Sequence, residues 1–125
     1  MILDTNALSA VADNDPAAVC VFRQAASIEL PVIVLGEYRF AIAHSRRRTE
    51  YEKWLDALIA ATRILPVERE TSAHYAQIRA ELKKAGKPIP SNDLWIAALS
   101  RQHRLTLMSQ DRHFDAVPRL KRIGW

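Results

Sequence analysis

Apolar residues along the chain switch repeatedly between short continuous runs and helical spacing. Met1-Ile2-Leu3 is an apolar run that meets the turn-forming cluster Asp4-Thr5-Asn6, the pattern of a buried strand running into a helix start. Asp13-Asn14-Asp15-Pro16 supplies caps and a first-turn proline for a helix over residues 17–27. Residues 30–34 form a second β-rich run. Gly36-Glu37 then opens a helix carrying Tyr38, Ala41 and Ile42 at helical spacing, which ends near Ser45, where Arg46-Arg47-Arg48 reads as a solvated helix end.

Over residues 49–62, Tyr51, Trp54, Leu55, Leu58 and Ile59 fall at i, i+3, i+4, i+7 and i+8, one apolar helical face. Residues 64–67 read as a short strand. Residues 70–85 carry Tyr75, Ile78 and Leu82 at helical spacing, with Gly86 placed to stop the helix, and Lys87-Pro88-Ile89-Pro90 must be a loop. Ser91-Asn92 offers caps for a helix from Asp93 to about His103, and residues 105–108 are a fourth apolar run, followed by Ser109-Gln110-Asp111. Strands this short and uniformly apolar, separated by helices, predict an α/β layered fold around a mostly parallel central sheet.

Composition narrows the class. The chain has 125 residues, 49% hydrophobic and 26% charged, with no repeat or linker-like stretch, so a single domain over residues 1–125 is expected. Cys20 is the only cysteine, which excludes an internal disulfide and a cysteine-based zinc site. The apolar run 30–35 is far short of a bilayer span, and Asp4 interrupts any signal-like start, so no membrane association and a cytoplasmic setting are expected. A net charge of +4 is a modest excess, compatible with a polyanionic partner.

In open α/β sheets the functional crevice lies outside the carboxyl ends of the strands. Asp4 and Asp111 follow apolar runs directly, Glu37 follows one by about a turn, and Asp93 opens a helix, so one crevice could collect all four. Grouped carboxylates repel unless cations neutralise them, and oxygen donors without thiolates select Mg²⁺ or Mn²⁺ over zinc. Such a site suits phosphodiester hydrolysis by metal-activated water. A haloacid-type phosphatase with an aspartyl nucleophile would want a second acid two residues after Asp4, and that position is Asn6.

Met-Ile-Leu-Asp-Thr-Asn at the start, Gly36-Glu37, Asn92-Asp93-Leu94-Trp95-Ile96-Ala97-Ala98 and Leu107-Met108-Ser109-Gln110-Asp111-Arg112-His113-Phe114 together resemble the PIN-domain ribonucleases, in particular the VapC-type toxins of bacterial toxin–antitoxin pairs. The resemblance runs to Phe114-Asp115-Ala116-Val117-Pro118 and Ile123-Gly124-Trp125. It implies a PIN-like three-layer fold, a Mg²⁺- or Mn²⁺-dependent endoribonuclease, a VapB-like antitoxin and a homodimer. Carried over residue by residue, Asp4, Glu37, Asp93 and Asp111 match the acidic quartet and Asp115 is an accessory acid. Ser109 stands where the family more often has Thr, keeping a hydroxyl to orient Asp111 or a metal-bound water. Thr5 and Asn6 would hydrogen-bond beside Asp4.

The alternative is a degenerate PIN domain that binds RNA or a protein without cleaving. His44, His74, His103 and His113 show no local metal-ligand spacing and are expected in the core or on the surface; His113, close to Asp111, is the one placed to touch substrate. Trp54 and Trp95 are expected to pack in the core or an interface rather than stack on bases.

Overall fold

The computed structural model describes residues 1–125. Five short strands, β1 (Ile2–Leu3), β2 (Glu29–Pro31), β3 (Arg63–Leu65), β4 (Leu107–Met108) and β5 (Arg122–Ile123), form one sheet in the order β3-β2-β1-β4-β5. Every pairing is parallel. The helices are α1 (Thr5–Ala12), α2 (Pro16–Gln24), α3 (Val32–Ile42), α4 (Arg48–Ala61), α5 (Arg69–Lys84) and α6 (Ser91–His103), and a 3-10 turn covers Arg112–Ala116. The predicted α/β class with a parallel sheet flanked by helices is the observed one.

Burial explains why strands of two or three residues suffice. Ile2, Leu3, Leu30, Leu65, Leu107 and Met108 are fully buried, as expected of a parallel sheet covered on both faces by helices. Each such side chain contributes roughly 1.5–3 kcal/mol relative to an exposed one. α1 packs on α2 and α3, α3 also meets α4 and α6, and α5 lies along α6. Leu55 of α4 and Ile78 and Leu82 of α5 are buried at the positions their spacing predicted. Gly86 adopts φ +66 just beyond α5, a left-handed position that glycine occupies without strain. Trp54 packs against Tyr38, and Trp95 stacks on Tyr75 with centroids 4.1 Å apart, so both indoles are engaged within the fold.

Several boundaries differ from the sequence reading. The second strand stops at Pro31, because Pro31 takes the N-cap position of α3 and residues 32–34 are helical rather than extended. Glu37 therefore projects from the second turn of α3, not from its start. Arg47 caps α4 and Arg48 begins it, so the basic run opens a helix instead of closing one. Pairs to Glu50 at 2.8 Å and Glu52 at 2.8 Å offset the unfavourable placement of cations at that end. α6 begins at Ser91, with Pro90 at its N-cap and no side-chain cap. β5 was not anticipated, since Arg122-Ile123 carries a single apolar residue. No helix is long and apolar enough to cross a membrane.

Candidate active site

β1 and β4 are hydrogen-bonded neighbours, with Leu3 opposite Met108, so the residues that follow them emerge side by side. Asp4 leaves β1 and at once caps α1: its Oδ1 accepts from Ala7 N–H at 2.7 Å. Ser109, fully buried after β4, accepts the Asp111 N–H on its Oγ at 2.9 Å, and its hydroxyl is near enough to Asp4 to stabilise that carboxylate. The Ser109 hydroxyl thus sits between the residues that follow the two strands, bonded to the Asp111 backbone and close to Asp4.

Glu37 enters from α3. Its Oε2 accepts from the Thr5 hydroxyl at 2.9 Å, while its Oε1 is buried without a hydrogen-bond partner. Asp93 projects from the first turn of α6, where the helix dipole favours a negative charge. Asp111 caps the 3-10 turn that carries His113, accepting the His113 N–H at 3.3 Å. The His113 ring stands between two acids: Nε2 is 3.0 Å from Asp93 Oδ2 and Nδ1 is 3.0 Å from Asp111 Oδ1. Nε2 nevertheless makes no well-aligned hydrogen bond, so the first approach is a close contact rather than a directed bond.

Electrostatics shows the same grouping. Burial raises the Asp4 carboxyl above the ordinary carboxylate range; Ser109 and the Ala7 N–H hold it down, and the charges of Asp111 and Glu37 push it up further. Asp93 is also raised, first by burial, against the attraction of His113 and with repulsion from Glu37, Asp111 and Asp4. Asp4 is only 4% exposed whereas the Asp111 side chain is 43% exposed, so the cluster has a closed floor and an open rim.

These residues fit a divalent cation. The Glu37 Oε1 has no partner, the oxygen donors are hard, and ligand atoms of Asp93, Asp111 and His113 lie within 4.8 Å of one another. Two predicted residues stand apart. Asp115 is exposed and paired with Arg122 at 2.7 Å, which lowers its carboxyl below the usual range, and it is not among the charges acting on Asp4 or Asp93. Asn6 is exposed on α1. His113, singled out in the sequence only by its closeness to Asp111, lies between Asp93 and Asp111.

The PIN domain family model matches residues 1–120. The chain belongs to the PIN domain family. It is 32% identical over 121 residues to the VapC ribonuclease Y4jK of Sinorhizobium fredii, covering 89% of this chain and 86% of that one. Toxin FitB of Neisseria gonorrhoeae is also 32% identical over 121 residues, covering 89% and 87% respectively. The fold matches VapBC2 from Rickettsia felis, solved bound to a DNA fragment from their promoter, with a TM-score of 0.88 at 24% identity over 99% of this chain and 97% of that one. In this PIN domain Asp4 and Asp111 follow the carboxyl ends of β1 and β4, where a parallel sheet opens its crevice, and Glu37 and Asp93 join them from α3 and α6.

Proposed function

We propose that the protein is a divalent-metal-dependent endoribonuclease that acts as the toxin of a toxin–antitoxin pair, with Mg²⁺ or Mn²⁺ held by Asp4, Glu37, Asp93 and Asp111. The observation that carries this reading is that four acids from separate elements act on one another's charge, and one of them, Glu37, holds a buried Oε1 without a hydrogen-bond partner. A bound cation of this kind polarises a phosphoryl oxygen and lowers the pKa of an attacking water.

The chain's own residues do the rest. Asp4, fixed by the Ala7 N–H, and Glu37, held by Thr5, supply oxygens at the floor. Asp93 and Asp111, at the rim, stand on either side of the His113 ring, each 3.0 Å from one of its nitrogens. Lys87 and Arg112 line a cavity of about 320 Å³ together with His113, a place for the phosphates flanking the scissile bond. Arg47 and Arg48 are already paired with acids and contribute less to RNA attraction.

The same reading includes a VapB-like antitoxin, a homodimer and a cytoplasmic setting. Val32 and Phe40 of α3, 46% and 80% exposed, offer apolar area to such partners. The test is cleavage of a labelled mixed RNA pool by the purified protein, with Mg²⁺ or Mn²⁺ against chelator and with Asp4→Asn prepared in parallel. Metal-dependent fragments from the wild type alone are expected. RNA held equally in chelator, with no fragments, would instead identify a domain that binds without turnover.

A further inference from the structure

The amino ends of the strands carry a second cleft, opposite in sign to the first. The chain enters β4 through Arg104, Leu105 and Thr106 and enters β5 through Lys121, and these residues line a cavity of about 540 Å³ with Arg101 and Arg119. No acidic residue lines it. Arg101 is 8% exposed and bidentate to Glu81, at 2.7 and 3.1 Å, so its own charge is neutralised. Arg119 reaches the same carboxylate only at 3.6 Å, and its side chain is 70% exposed. Arg104 and Lys121 have no ion-pair partner.

Backbone conformation makes this charge informative. Three non-glycine residues have positive φ, Asn14, Arg104 and Arg119, and two of them are arginines in this cleft, at φ 54 and φ 62. Left-handed positions favour Gly or Asn, and Arg104 sits directly after α6, where glycine is the usual residue. Local stability therefore does not explain the choice of arginine at either place. Strain of this kind is retained where the side chain has work to do.

We propose that this cleft binds the phosphate groups of nucleotides, free or within an RNA strand. Guanidinium forks match phosphate oxygens bidentately, and Lys121 adds a point charge. Past Arg104 and Lys121 the surface continues into a cavity of about 470 Å³ lined partly by Met1, Val21 and Ile123, apolar area suited to a base. The site does not depend on the reaction proposed for the carboxylates, from which it is separated by the length of the strands.

The test is run in chelator, so that neither metal nor cleavage enters. Inorganic pyrophosphate is titrated by calorimetry, and a fluorescein-labelled oligouridylate of about ten nucleotides by anisotropy. Arg104→Gly/Arg119→Gly removes two cations while relieving both left-handed positions, so its melting temperature is expected to equal or exceed that of the wild type. Arg46→Gln/Lys53→Gln removes the same charge from exposed residues on and before α4. The cleft variant is expected to lose affinity by about tenfold or more and to flatten the salt dependence of RNA binding by roughly 1.4 logarithmic units, against about twofold or less for the control. Loss of both probes, of pyrophosphate alone or of RNA alone supports the site and assigns its source. Unchanged binding of both probes, or an equal loss in the control, overturns it. Lys121→Gln, at a residue with ordinary φ, repeats the comparison should the double variant fail to fold.

Discussion

The Thr5 hydroxyl donates to Glu37 Oε2 at 2.9 Å, joining the first turn of α1 to the second turn of α3 across 32 residues of sequence. It is the only hydrogen bond holding the Glu37 carboxylate, whose other oxygen has none. Thr5→Val is expected to cost about 1 kcal/mol of stability and to lower divalent-cation affinity roughly tenfold, because Glu37 loses its orientation. Thr5→Ser should restore both. Calorimetric titration of metal into the three proteins decides it, and wild-type affinity in Thr5→Val would remove Thr5 from the site.

Asp4 and Asp93 have carboxyls raised above their unfolded value of 3.8. The folded state then binds protons more tightly than the unfolded state, so their contribution favours folding below pH 3.8 and is lost as pH rises through the raised folded values. At neutral pH the metal-free protein is strained by these charges. Asp4→Asn keeps a good N-cap oxygen for Ala7 and removes one charge, so it is expected to raise the metal-free melting temperature by a few degrees. It should also blunt the further rise that Mn²⁺ gives the wild type. Thermal melts from pH 4 to 8, with and without metal, test this; a lower melting temperature for metal-free Asp4→Asn at pH 7 would contradict it.

His113 contributes a nitrogen donor beside two carboxylates. Nitrogen suits Mn²⁺ better than Mg²⁺, which prefers an all-oxygen octahedron. His113→Ala is expected to weaken Mn²⁺ binding by about tenfold and Mg²⁺ binding by less. Equal losses for the two ions would show that the imidazole only orients the acids.

The Arg101–Glu81 pair joins α6 to α5, with side-chain exposures of 6% and 35%. The two halves are unequal. Glu81→Gln leaves a buried guanidinium without its counter-charge and is expected to cost about 3 kcal/mol. Arg101→Met leaves a partly exposed carboxylate that still has Arg119 near it, and should cost less than half as much. Denaturant unfolding of both variants gives the order, and a reversed order would mean that Arg101 acts mainly through its packed stem.

The acids at the site were legible because a parallel sheet places strand-end residues in one crevice, and Asp4 and Asp111 follow their apolar runs directly. His113 carried less signal, its closeness to Asp111 alone, since a one-turn 3-10 element has no period to detect. The end of β2 was misread because residues 32–35 are β-branched or aliphatic, and only the placement of Pro31 as a cap makes them helical. Asp115 looked like a fifth acid until Arg122, on a strand with one apolar residue, claimed it. The basic cleft was invisible for a similar reason: arginine does not announce a left-handed backbone as glycine would.

α6 carries Asp93 in its first turn and Arg101 near its last. Eight residues of helix span about 12 Å, so the distance between the carboxylate cluster and the basic cleft is set by a rigid ruler rather than by loops. A polyanion that touched both would have to match that gauge. Inserting one residue between Leu94 and Ser100 would lengthen it by only about 1.5 Å but turn the far end by about 100°, swinging the guanidinium of Arg101 out of register with Asp93.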